Sequence, residues 1–229
     1  MKKAIPSLLM AGALAVSAGV QAATVTDSFL TPLSTTELSN ETGSLDLFDG
    51  SLGNLTSVTV EISAHSVSST IINNTAAQDQ TFAYNSGLNF IYDSTLSPLD
   101  SVLTGDLLFS PDLQTILADT GGPATVASQG SLDLGSKTDD SSRSFTFTGS
   151  DLAAFIGAGT FDISCSTQTN SQFVGGGGNL TAAQNTQAQC DGTVTYDYDV
   201  ANNVPEPAAA WLIGAGLLGF VGFRAKKSS

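Results

Sequence analysis

Basic side chains are nearly missing from the body of this chain. Between residues 23 and 203 only Lys137 and Arg143 are basic, against 17 Asp and 3 Glu, a net charge of −18. The other five basic residues (Lys2, Lys3, Arg224, Lys226 and Lys227) stand at the two ends, so the whole chain carries only −14. Neutralising phosphates takes Lys and Arg, so this surface argues against nucleic acid and against anionic lipid as partners. Histidine is reduced to one residue, His65. A zinc centre of Cys and His needs more, and a Ser–His or Cys–His nucleophile pair has only His65 to draw on. No G-x-S-x-G run is present to mark a nucleophile. No window has the oxygen-ligand spacing of an EF-hand loop. Gly175 to Gly178 lack the Lys-Ser/Thr that a phosphate loop requires and read as a flexible connection. The single tryptophan, Trp211, lies near the C-terminus, and Tyr84, Tyr92, Tyr196 and Tyr198 fall on inward strand positions. No aromatic platform for stacking sugars is therefore evident. These absences point to a protein that is not an enzyme and has no resident cofactor. Twenty carboxylates leave a glycosidase-type pair open, so a secreted hydrolase stands as an alternative.

Long apolar runs are confined to the ends. Residues 1–22 combine a basic start (Lys2, Lys3), an apolar stretch from Leu8 to Val16, and small residues before a cut after Ala22, with Ala23 as the other cleavage position. This reads as a secretory signal peptide. Residues 208–223 hold no charged side chain. As a helix they would span roughly 24 Å, short against a hydrocarbon core of roughly 30 Å but able to cross with local thinning. Arg224, Lys226 and Lys227 follow, which keeps the C-terminus cytoplasmic and the remainder outside. Ahead of that run stands VPEP, residues 204–207. Proline donates no amide hydrogen bond and turns the residue before it away from helical angles. Val204 to Glu206 is therefore extended, accessible backbone just outside the membrane, the form a protease accepts.

The three parts in this order, Val204-Pro205-Glu206-Pro207, the apolar run 208–223 and the basic end from Arg224, resemble the PEP-CTERM sorting domain of Gram-negative bacteria. The resemblance implies a transient inner-membrane intermediate and processing by an exosortase. The destination it implies is the cell surface or the extracellular matrix, in bacteria that build exopolysaccharide and biofilm. It covers residues 204–229 and speaks of destination, not of the cargo's activity.

The cargo, residues 23–203, is long enough for one domain with a substantial core. Its dominant signal is alternation. In LTSVTVEISA, Val58, Val60, Ile62 and Ala64 face one way and Thr59, Glu61 and Ser63 the other. In CDGTVTYDYDV, Cys190, Val194, Tyr196, Tyr198 and Val200 oppose Asp191, Thr193, Thr195, Asp197 and Asp199. Similar short runs lie at 24–30, 43–48, 67–73, 80–84, 88–92, 125–134, 143–148 and 159–165, separated by Gly, Asn, Asp and Ser clusters. About ten short strands of period two predict an all-β, antiparallel β-sandwich. Two short helices are expected as covers, one in SPDLQTIL (110–117) and one in GSDLAAFIGAG (149–159). Cys165 and Cys190, in an exported domain, predict a disulfide on the core side of the last two strands. Asp191, Asp197 and Asp199 would line one outward face, which makes them candidate Ca²⁺ ligands and the domain a candidate Ca²⁺- or carbohydrate-binding adhesion module. The Phe48–Val58 run and LAAFIGAGT (152–160) resemble the choice-of-anchor E group of PEP-CTERM cargo, and no catalytic activity comes with that resemblance.

Overall fold

The computed structural model describes residues 21–103 and 111–200. The predicted signal peptide and the whole of the predicted tail, with Val204 to Pro207, the run 208–223 and Arg224, lie outside the described residues. Ten strands follow in chain order: β1 (Ala22–Leu30), β2 (Ser34–Thr35), β3 (Glu41–Asp46), β4 (Gly53–Asn74), β5 (Gln80–Ser94), β6 (Leu113–Asp119), β7 (Ala124–Val126), β8 (Ser131–Phe147), β9 (Thr160–Gly175) and β10 (Leu180–Val200). They build two antiparallel sheets. The first runs β1-β10-β4-β8, with β2 also on β10; the second runs β3-β9-β5-β6, with β7 also on β5. The predicted β-sandwich is the observed architecture.

The strands are longer than expected. β4 alone has 22 residues and β10 has 21, so the first sheet extends roughly 70 Å. The runs predicted at 55–64 and 67–73 are one continuous strand, and so are those at 80–84 and 88–92. In β4 the alternation continues through Ser66, Ser68 and Thr70, which are buried on the same face as Val58, Val60, Ile62 and Ala64. The predicted break between the two runs, at His65 and Ser66, is here strand interior, and the hydroxyls of Ser66, Ser68 and Thr70 turn inward.

Three local expectations are corrected. Leu113 to Leu117, part of the helix predicted over 110–117, belong to strand β6 on β5. Leu113, Thr115 and Leu117 are buried while Ile116 is 44% exposed, so burial has period two and not the helical spacing. The second cover is a 3₁₀ turn, Gly149–Phe155, that buries Phe155; its N-cap is Thr148 and not the expected Ser150. The predicted flexible excursion around Gly175–Gly178 is mostly the ends of β9 and β10, with a compact 3₁₀ turn (Gly177–Asn179) between them. Gly175, Gly176 and Gly177 have φ of 86°, 76° and 63°, a left-handed path that side chains disfavour, and it carries the chain from one sheet to the other. One short helix, α1 (Ser97–Asp100), was not expected; it packs Leu99 into the core.

The interior is divided. A larger apolar cluster includes Val58, Val60, Ile62, Leu88, Phe90, Tyr92, Phe161, Ile163, Val194 and Tyr196. A smaller one holds Ile72, Phe82, Tyr84, Ala118 and Val126. Between them lies a band of buried hydroxyls: Ser66, Ser68 and Thr70 on β4, Ser86 on β5, Thr115 on β6, Thr167 on β9 and Thr186 on β10. Some are paired. Ser66 Oγ donates to Thr115 Oγ1 at 2.7 Å, Ser68 Oγ donates to the Leu117 carbonyl, and Thr167 Oγ1 accepts the Leu38 N–H at 2.7 Å. Thr70 Oγ1 and Ser86 Oγ are buried without a protein partner.

The sandwich manages its long edges with carboxylates. At one side β1 lies against β3, and at the other β8 lies against β6. Asp27 on β1 reaches across to accept the Asp46 N–H of β3 at 2.7 Å. Asp139 on β8 accepts the Ile116 N–H of β6 at 2.7 Å. Each carboxylate uses up an edge donor that would otherwise be free to recruit another strand. The domain's two basic residues, Lys137 and Arg143, both lie on edge strand β8, where charge further discourages pairing.

Candidate functional site

The cysteines meet as predicted. Cys165 on β9 and Cys190 on β10 form a disulfide with Cα atoms 6.4 Å apart, both buried. β9 and β10 belong to different sheets, so the bridge joins the two layers through the larger core. Thr31 fixes the same level: its Oγ1 accepts the Cys190 N–H at 2.9 Å and donates to the Cys190 carbonyl at 3.0 Å.

The three aspartates proposed as Ca²⁺ ligands are not brought together. Asp191 pairs with Leu30 and Ser63, Asp197 with Thr24 and Ser57, and Asp199 with Ala22 and Asn54. Asp191 and Asp197 are six strand steps apart, roughly 20 Å. Asp197 Oδ1 accepts the Thr24 hydroxyl at 2.8 Å. Among the described residues no group of three or more His, Cys, Asp or Glu is arranged to hold a metal ion.

Asp191 instead belongs to a row crossing three strands. Opposite Gln189 stands His65, and opposite His65 stands Asp140. His65 Nδ1 lies 2.6 Å from Asp140 Oδ1. Gln189 Nε2 donates to Asp191 Oδ1 at 3.2 Å. Partial burial pushes the Asp191 carboxyl above the usual range, opposed by the Gln189 hydrogen bond and the nearby His65. Sequence reasoning found no role for His65, because its partner lies 75 positions away on a neighbouring strand.

A second grouping escaped the sequence entirely. Asp27, Asp46 and Asp49 line one cleft of about 220 Å³ with Val25, Thr26, Leu47, Phe48, Leu52 and Tyr196. Asp27 already accepts two backbone N–H groups, from Ser28 and Asp46, and Asp49 Oδ1 accepts the Ser51 N–H at 2.9 Å. The Ser51 bonds hold the Asp49 carboxyl below the usual carboxylate range. Tyr196 beneath them donates to the Asp46 carbonyl at 2.7 Å, and burial together with Asp27 and Asp46 raises its phenol well above the ordinary value. Asp27 and Asp49 thus hold local backbone in place. The two runs behind the choice-of-anchor E resemblance meet beside this cleft. Phe48 N–H donates to the Phe155 carbonyl at 2.8 Å, and Gly157 N–H donates to the Phe48 carbonyl at 3.1 Å.

What remains is the segment after β10. Residues 203–227 match the family model of the PEP-CTERM protein-sorting motif. The chain carries a PEP-CTERM sorting motif. Val204, Pro205, Glu206, Pro207 and Arg224 all fall inside the matched span. The PEP-CTERM motif is an exosortase recognition signal and marks a secreted protein that passes through the membrane. Among the described residues no helix is long and apolar enough to cross a membrane; the predicted membrane run 208–223 is not among them. No curated protein matches the chain. Among solved structures, the domain is similar to the infectious bursal disease virus VP2 subviral particle, at 12% identity over 86% of this chain and 42% of that one, with a TM-score of 0.21. It is also similar to turnip yellow mosaic virus, at 9% identity over 87% of this chain and 93% of that one, with a TM-score of 0.19. A third is the Salmonella SPI-1 type III secretion injectisome secretin InvG, at 5% identity over 73% of this chain and 71% of that one, with a TM-score of 0.17. The chain spans under half the length of the VP2 chain, and scores this low carry no conclusion about function.

Proposed function

We propose that this is a non-enzymatic surface or extracellular-matrix protein, exported by residues 1–22 and handed to an exosortase by residues 204–229. The observation that carries this reading is the match of residues 203–227 to the sorting motif. The partner we assign to the β-sandwich is exopolysaccharide of the producing cell, in a biofilm or matrix. Uncharged polar side chains support that class of partner. On the outer face of the second sheet, Gln114 Nε2 donates to Asn89 Oδ1 at 2.8 Å and Asn170 Nδ2 donates to the same oxygen at 3.1 Å, a row of amides across three strands. Amides offer both donors and acceptors to sugar hydroxyls.

The test is a tail variant, Pro205→Ala with Glu206→Ala, expressed in the native host. It should accumulate in the inner membrane with its final lysines intact, while the parent reaches the surface or medium shortened. Normal maturation of the variant would refute the assignment.

A further inference from the structure

One stretch of the fold has none of the edge protection described above. Strand β10 is paired on one side with β4 along its whole length. On its other side β1 covers Asp191–Asp199 and β2 covers only Gln187–Ala188. The Thr186 carbonyl accepts the Thr36 N–H at 3.1 Å, which shows which way that residue's backbone groups point. By strand alternation the N–H and C=O groups of Leu180, Ala182 and Gln184 point the same way. Among the described residues no strand meets them there. Strand β9 repeats the pattern. β3 covers Thr160–Cys165, Thr167 N–H reaches the Leu38 carbonyl, and Thr169 N–H reaches Glu37 Oε1. Beyond that point Ser171 and Phe173 present their backbone groups on the same side, with no strand partner among the described residues.

The two open edges lie one above the other. Thr169 of β9 and Gln184, Asn185 and Thr186 of β10 line a single cleft of about 250 Å³, with Thr35, Thr36 and Glu37 at its head. Within it Gln184 Nε2 is buried and has no hydrogen-bond partner. The sequence of these edges is also set apart. From Ile163 to Cys190, 28 consecutive residues include no Asp, Glu, Lys, Arg or His, in a domain of net charge −18. Val174, 61% exposed, stands beside the edge on the outer face.

We propose that this paired edge, residues 170–175 of β9 and 180–185 of β10, is a self-association surface whose occupant is a second copy of this chain. A two-fold axis normal to the sheets would lay β10 antiparallel to its copy and β9 antiparallel to its copy, continuing both sheets at once. Charge selects this occupant. Two copies repel each other through most of their acidic surface, and the uncharged stretch is where they can approach without that penalty. The amides of Asn170, Gln172, Gln184 and Asn185 carry donors and acceptors together, so the surface is complementary to itself. Any partner must also bring an unpaired edge, and this chain has one. The inference goes beyond the sorting assignment, and a change at the edge leaves tail processing untouched.

The test compares the full chain, purified in detergent, with edge variants by sedimentation velocity over a concentration series. The parent should reach a dimer. Ala183→Lys with Asn185→Lys puts charge on two outward, exposed side chains beside the edge and should weaken association by at least roughly tenfold. Ala182→Pro removes an N–H that points away from β4 and should do the same. Thr26→Lys, on the outer face beyond the edge, should leave the dimer unchanged. As a second readout, Ala183→Cys and Asn185→Cys are made singly, since both natural cysteines are already bonded. With added oxidant at least one should give a covalent homodimer, and Thr26→Cys should not. A parent that stays monomeric, an Ala183→Lys/Asn185→Lys variant that associates as tightly as the parent, or edge cysteines that form no more covalent homodimer than Thr26→Cys would each overturn the proposal.

Discussion

The two ends of the sandwich are built on the same strands and in different ways. Around the disulfide, 25 of the described residues form one apolar cluster; at the other end there are five. The larger end has its sheets joined by Cys165–Cys190, and Asp27 caps the edge beside it. The smaller end turns through Gly175–Gly177 and, among the described residues, leaves both sheet edges unpaired on one side. Hydroxyls separate the two, and the strands run through without a break. A long β-domain can thus hold one rigid core and one weaker core on shared strands, and the weaker one is where its open backbone lies.

The comparison breaks most readily with core truncation. Phe90 and Phe82 are both almost fully buried, one in each cluster. Phe90→Ala should cost about 3–5 kcal/mol and lower the main thermal transition. Phe82→Ala should act chiefly on amide-exchange protection in the smaller end, around β7 and the adjoining ends of β5, β9 and β10, while amides near Ile62 and Cys165 stay protected. Identical global losses for the two variants would mean one cooperative unit. Next in size is the disulfide. Replacing both cysteines by alanine should destabilise by about 3 kcal/mol on the chain-entropy account for a separation of 25 residues. Denaturant unfolding followed at Tyr92 and Tyr196 should report the loss, with the smaller end little changed. The smallest effect is expected in the hydroxyl band. Thr70→Val keeps the shape and removes a buried hydroxyl that has no partner, so it should raise stability by about 1 kcal/mol. A loss there would mean that Thr70 Oγ1 is satisfied by bound water.

Much of the fold was legible in the pattern. The inward set Val58, Val60, Ile62 and Ala64 is buried as alternation predicts, and the disulfide follows from cysteines on two inward faces. The errors share a cause. His65 and Ser66, and Asn85 to Gly87, separate runs that the pattern divides in two; in the fold they are strand interior. Leu113, Ile116 and Leu117 fit a helical face on paper, and pairing with β5 made them strand. Local preference is worth tenths of a kcal/mol per residue and yields to a ladder of cross-strand hydrogen bonds. Of the candidate sites, the sorting motif was readable because its chemistry is contiguous: two prolines around a glutamate, an apolar run and a basic end. The candidate Ca²⁺ ligands Asp191, Asp197 and Asp199 lie spread along one strand face, and among the described residues they form no cluster of three.

By itself the sequence determined the alternating strands, the cysteine pair and the processing signal, each of which depends on residues near one another in the chain or on a two-member inventory. Only the tertiary structure decided what depends on distance in space. It joined His65 to Asp140, set Asp27 and Asp139 as caps on opposite edges, and left part of β9 and β10 uncovered. Strand order and strand length decide those outcomes, because a backbone group is open or paired according to which strand arrives beside it, and no local spacing encodes that arrival.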